Sequence, residues 1–241
     1  MTGYASLVKT ASRPGNAKAW TRGLLRCGLA AGPAFVTVFV IEGGVRDGYR
    51  PLRHPVSSLA LGPHGWTQTG NFALAGTLFL AAAAGLSRTG DPAASRLPVP
   101  ALIGAAGTGL IGAAIFPTDP VSGYPPGTPG ALPAPSRTGT AHNLAAIPVF
   151  FGLPAAALSC GSRSWRTGQR TFALYSTGTA ITMVTTATLA GAGFGQSPRL
   201  VKLGGLFQRV SIITGFGWLT ALSARALHRV PATCSARPPA A

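Results

Sequence analysis

Long apolar stretches alternate with shorter polar ones along the whole chain. Their approximate limits are 24–45, 69–87, 99–116, 139–160, 171–193 and 203–228. Each holds about 18 residues or more, and at 1.5 Å rise roughly 20 residues cross a hydrocarbon core. The pattern predicts an all-α integral membrane protein with six transmembrane helices. The membrane domain runs over about 24–228, between a basic segment 1–23 and a short tail 229–241. The second and third stretches are rich in Gly and Ala, which lowers their hydropathy but lets helices pack closely in lipid. Gly104, Thr108 and Gly112 recur at four-residue spacing and predict a small-residue face for a neighbouring helix, in this chain or in a homo-oligomer.

Residues 1–20 are polar and carry Lys9, Arg13 and Lys18, like the start of a signal peptide. The apolar run behind them is longer than the 7–15 residues such a peptide uses, which predicts an uncleaved first span. Both ends, 1–20 and 231–241, read as tails without fixed structure.

Composition strengthens the membrane reading. The chain is 46% hydrophobic and only 10% charged, whereas a soluble domain carries about 25% charged residues. A net charge of +16 raises the question of nucleic acid, since clustered Lys and Arg are the footprint of phosphate binding. Here the basic residues lie between and outside the apolar runs, and that placement excludes nucleic acid as a partner. It also orients the chain. With both termini cytoplasmic, 13 of the 20 Lys and Arg residues face inward and 7 outward, the asymmetry expected of a plasma-membrane protein. Cys27, Cys160 and Cys234 then fall on the reducing side, which argues against disulfides. With no C-x-x-C motif, no structural metal is expected either. No cofactor is implied.

The expected outer loops, 46–68 and 117–138, are long and rich in Pro, Gly and Ser, while the inner loops 88–98 and 161–170 are short and basic. Long loops in compact domains are usually functional or disordered. The first outer loop brings Arg53, His54 and Ser57 before Leu59-Ala60-Leu61 and Trp66, a pattern for a short interfacial helix packed over the bundle mouth. The second holds Asp119, one of only four acids, between Pro117 and Pro120. An Asp there can shape a turn through nearby amides, or line an outward-facing mouth. Glu42 lies near the outer end of the first span, His142 and Asn143 open the fourth, and Gln208 and Arg209 lie inside the last. An imidazole near neutrality suits proton transfer, and a charge inside a span needs a partner. Glu42, His54, Asp119, Tyr124, His142, Gln208 and Arg209 thus map to one membrane face. Because Asp119 is fixed by prolines, it is the expected counter-charge for Arg209, with His142 within reach.

HPVSSLALGPHGW (His54–Trp66), IGAAIFPTDPVSGYPPGTP (Ile111–Pro129) and GLFQRVSI (Gly205–Ile212) resemble a bacterial family, domain of unknown function 998, over roughly residues 24–228. The resemblance implies a multi-pass helical domain of the inner membrane. It carries no settled activity.

The leading functional expectation is an outward-facing polar site that binds, and chemically modifies, a membrane lipid or isoprenoid. Asp119, His142 and Glu42 are the candidate catalytic groups; Arg53, His54, Ser57, Tyr124, Gln208 and Arg209 are the candidate substrate-binding groups. The alternative is a non-catalytic protein that binds a lipid headgroup or a partner through the same cluster. Zinc-dependent amidase chemistry would require His54, His64 and His142 to converge. A transporter lacks paired charges deep in several spans, and a haem protein lacks axial histidines within the spans.

Overall fold

In the computed structural model, which describes residues 14–231, every regular element is helical. Six rods follow one another. They are α1 (Pro14–Val45), α2 (Trp66–Leu86), α3 (Val99–Ile115), α4 (Arg137–Arg166), α5 (Arg170–Phe194) and α6 (Gly204–Arg229). Each packs on the next in sequence, and α6 returns to α1, so the bundle is a closed up-and-down ring. Arg22 of α1 closes the seam by donating to the carbonyls of Leu227 and Val230 at the end of α6, 3.2 and 2.6 Å away. The start of α1 and the end of α6 therefore share one end of the bundle, the terminal end. The long connections 46–65 and 116–136 share the other, the loop end.

Four of the rods, α1, α2, α4 and α6, are long and apolar enough to cross a membrane. Helix α3 is apolar but has 17 residues, and α5, although 25 residues long, dilutes its apolar side chains with Ser, Thr and Gly. Helix α1 starts at Pro14, so the later part of the basic N-terminal segment, expected to be unstructured, is helical. Residues 1–13 and 232–241, with the expected tails and Cys234, lie outside the described residues.

The centre of the ring is aromatic. Phe35 and Phe39 of α1, Phe79 of α2, and Phe216 and Trp218 of α6 are all fully buried. Phe35 lies 5.6 Å from Phe72 and 5.0 Å from Phe216 between ring centroids, within the range where tilted rings attract. Small residues do bring helices together, and of the expected row Gly112 takes part. Gly76 of α2 faces Gly107 of α3, where a Cβ on either would meet the other's carbonyl within 3 Å. Gly109 and Gly112 face Ala145 of α4. Thr108 points outward and returns its hydroxyl to the Gly104 carbonyl of its own helix. The packed face runs through Gly107, Gly109 and Gly112 because α3 turns its buried side between α2 and α4.

Helix α4 is not a straight rod. A π-helical turn, Pro148–Gly152, interrupts it, and Pro148 and Pro154 have no N–H to donate one turn back. The terminal-end half, Leu153–Arg166, packs on α5, whereas the loop-end half, Arg137–Ile147, packs on α3 and makes no substantial contact with α5. A wedge is thereby left between α4 and α5 near the loop end.

The terminal end carries a polar network that the acid count did not anticipate. Asp91 sits in a turn and is buried, its carboxylate accepting from the Ala93 amide at 3.0 Å. Its Oδ2 pairs with Arg229 at 2.9 Å and Arg225 at 3.4 Å. Gln169, from the α4–α5 connection, accepts from both arginines. The network ties two connections to the end of α6.

Candidate functional site

The wedge beside α4 is the mouth of a cavity of about 650 Å³, well within the size range of small-molecule sites. Its walls are apolar: Phe35 and Phe72 on one side, Leu110 and Ala113 of α3, Ala146 to Phe151 along α4, and Ala187, Ala190 and Phe194 of α5. Its loop end is polar. There it is lined by Ser57, Thr118, Asp119, His142, Asn143 and Gln208. Leu144, Ile147 and Phe151 on α4, with Ile181 and Val184 on α5, are exposed beside it, so the approach from the side is apolar too.

Asp119 holds its place through the start of α4. Ser136 is the N-cap: its hydroxyl accepts from the Gly139 amide at 2.9 Å, the role in which Ser is favoured. The same hydroxyl donates to Asp119 Oδ1 at 2.6 Å, and the Ser136 amide donates to Oδ2 at 2.9 Å. The carboxylate lies so close over Gly139 that a Cβ there would meet Oδ2 at 2.0 Å. Asp119 is therefore the resident anion at the helix start, where backbone N–H groups and the helix dipole favour negative charge.

His142 follows one turn later. Its Nδ1 lies 2.9 Å from the Phe116 carbonyl, which ends α3. A carbonyl only accepts, so Nδ1 carries the proton and the neutral ring keeps its lone pair on Nε2. The Phe72 ring stands edge-on at 6.1 Å. The α3–α4 connection thus sets both polar groups of the mouth, one through Ser136 and one through Phe116.

Arg209 does not pair with Asp119, contrary to the sequence expectation. Its guanidinium donates to the carbonyls of Pro51, His54 (3.1 Å) and Gly205 (3.1 Å), and to the Tyr49 hydroxyl at 2.5 Å. Tyr49 passes the chain on by donating to the Pro55 carbonyl at 2.9 Å. Gln208 Oε1 accepts from the Val56 amide at 2.7 Å, and the Leu206 amide donates to Leu52 at 2.9 Å. The start of α6 is thus a clamp on the first loop, and backbone carbonyls replace the expected carboxylate. Glu42 likewise pairs with its own neighbour Arg46, whose guanidinium also reaches the His64 carbonyl at 3.0 Å.

Clamped in this way, the first loop folds back as expected. Val56–Ala60 form a 3-10 turn, with Val56, Ser58 and Leu59 buried. Trp66, expected to be covered, is instead 72% exposed at the start of α2. His54 is buried between Tyr49 and Tyr124, at 5.4 and 5.3 Å between ring centroids. Its Nδ1 accepts from the Arg50 amide at 2.9 Å. Burial, followed by the charges of Arg53, Arg50 and Arg209, lowers its pKa to about 4 against a bond to the Ser122 backbone. Burial raises the pKa of the Tyr49 phenol, against the Arg209 charge.

The candidates therefore separate into two groups. Asp119, His142, Ser57 and Gln208 line the cavity; Glu42, Arg53, His54, Tyr124 and Arg209 lie beside it, in the loop clamp. His54, His64 and His142 do not converge, and among the described residues no three His, Cys, Asp or Glu side chains do. Sequence reasoning missed Ser136, Gly139, Tyr49 and Thr118. Ser136 alone carried a signal, as a Ser three residues before a Gly at a helix start.

A family model described as "Protein of unknown function (DUF998)" matches residues 29–225. No curated protein and no solved structure matches the chain.

Proposed function

The chain belongs to the DUF998 family, and we propose that this member is a six-span plasma-membrane protein that binds a lipid or isoprenoid. The apolar tail occupies the cavity between α4 and α5, and the head lies at the loop end. In this reading α3 and α5 also cross the bilayer, both termini are cytoplasmic, and the cavity mouth faces outward. The observation that carries the proposal is the pairing of a roughly 650 Å³ apolar cavity with a polar rim at one end and a wedge toward the lipid-facing side. Such a space matches an amphiphile better than a water-soluble solute, because most of its lining cannot hydrogen-bond.

One observation favours a chemical step as well as binding. Nδ1 of His142 is tied to Phe116, leaving Nε2 as an acceptor on a ring that lines the cavity. A hydroxyl proton of a bound head could pass to that nitrogen, while Asp119 stabilises the imidazolium formed. Binding alone is the simpler reading, because both Asp119 oxygens already serve Ser136.

Native mass spectrometry of protein released from nanodiscs tests the binding reading. Wild-type protein should carry a retained lipid or isoprenoid. Ala146→Trp, which fills the cavity, should remove it without loss of folding. Retention unchanged by the substitution would place the ligand elsewhere.

A further inference from the structure

Although the chain carries a net charge of +16, no Lys or Arg lines the cavity. Two of the cations at the loop end are committed elsewhere, and Arg53 and Arg137, which have no side-chain partner among the described residues, lie outside the lining as well. Arg209 is held by carbonyls and the Tyr49 hydroxyl, and Arg46 by Glu42 and the carbonyls of the first loop. The charged group that does line the cavity is Asp119. It occupies the start of α4, the place where a bound phosphate would otherwise find backbone N–H groups and a favourable dipole.

From this we infer that the site selects an uncharged, hydroxyl-bearing head on a long apolar chain and rejects the phosphorylated form of the same molecule. The inference rests on the cavity being a lipid site. A hydroxyl is both donor and acceptor, so it can donate to the Asp119 carboxylate or to His142 Nε2. It can also accept from side-chain donors such as Asn143 and Thr118 in the same rim. A phosphate monoester brings about −1.5 to −2 charge against a carboxylate, with no cation in the cavity lining to compensate. Like charges brought together in a site oppose binding, so phosphorylation should weaken binding by about tenfold or more.

The test uses the full-length protein in nanodiscs and two matched pairs of probes. These are farnesol against farnesyl monophosphate, and monoolein against lysophosphatidic acid. The first pair represents an isoprenoid source and the second a glycerolipid source. At least one alcohol should bind about tenfold tighter than its phosphate, and Asp119→Asn, which keeps an acceptor for Ser136, should narrow that gap. Ala146→Trp should abolish binding of the alcohol. Equal or tighter binding of both phosphates overturns the head-group inference while leaving the cavity reading standing. A gap that Asp119→Asn leaves unchanged overturns the role given to the carboxylate. If none of the four probes binds, or if Ala146→Trp changes nothing, the cavity reading falls and the inference with it.

Discussion

Two polar clusters lie side by side at the loop end, and they differ in what their hydrogen bonds are attached to. The clamp around Arg209 is nearly saturated by its own chain: four acceptors from two segments, the first loop and the start of α6, surround one guanidinium. The mouth around Asp119 and His142 is satisfied only on the side facing the α3–α4 connection. Its other side faces the cavity. A charge whose bonds all end within its own chain orders a loop. A polar group with capacity left over beside an apolar void can receive a ligand.

Removing the clamp should have the largest effect. Arg209→Met leaves the Pro51 and His54 carbonyls and the Tyr49 hydroxyl without their donor. A loss of about 1–3 kcal/mol is expected, because these acceptors are exposed or part-buried and water takes up some of the lost bonds. Equilibrium unfolding of the purified protein measures it. Arg209→Lys should recover only part, because an ammonium cannot span the same acceptors as the planar guanidinium. Gly205→Ala attacks the same contact from the backbone. A Cβ there would meet the Pro51 and His54 carbonyl oxygens at 2.4 and 2.5 Å, and overpacking of this kind costs about 1–3 kcal/mol. Unfolding midpoints unchanged in both variants would break the distinction between clamp and mouth.

His54 gives the clamp a pH signature. Its folded pKa of about 4 lies below the ordinary 6.5. Between these values the unfolded chain binds a proton that the folded chain does not, so stability falls as pH drops from 6.5 toward 4. His54→Asn, which keeps an acceptor for the Arg50 amide, should flatten the profile in that window.

The mouth should respond in the opposite sense. Gly139→Ala introduces a Cβ at 2.0 Å from Asp119 Oδ2. The carboxylate can swing away, and Ala favours the helix by up to about 1 kcal/mol over Gly. Stability should change by less than about 1 kcal/mol, while ligand retention measured by mass spectrometry drops. A matching loss of stability would mean that Asp119 serves the fold alone.

The sequence carried the helices well, because apolar length and charge placement determine where a helix can lie in lipid. The limits expected for the third rod, about 99–116, nearly coincide with Val99–Ile115. The burial of the turn at Val56–Ala60 was legible from Leu59 among basic neighbours. Arg209 was misassigned because a count of acids cannot see backbone carbonyls, and those were its acceptors. The arginines of Asp91 were not legible for a related reason: they lie 134 residues or more away in sequence, and only the ring closure brings them together. The cavity had no signature of its own. Pro148 and Pro154 marked a weak point in the fourth rod, but a void exists only once α3, α5 and α6 surround it.

The central claim, that the space between α4 and α5 holds an apolar chain, is tested most directly by photo-crosslinking in membranes. A long-chain alcohol with a diazirine near its tail end is irradiated with wild-type protein and with Ala146→Trp, and the labelled peptides are mapped. Labelling should concentrate on cavity residues such as Leu110, Ala113 and Ala187, and should disappear in the variant. Labelling confined to outward-facing side chains away from the cavity, such as Leu74 and Leu174, and equal in both proteins, would contradict it.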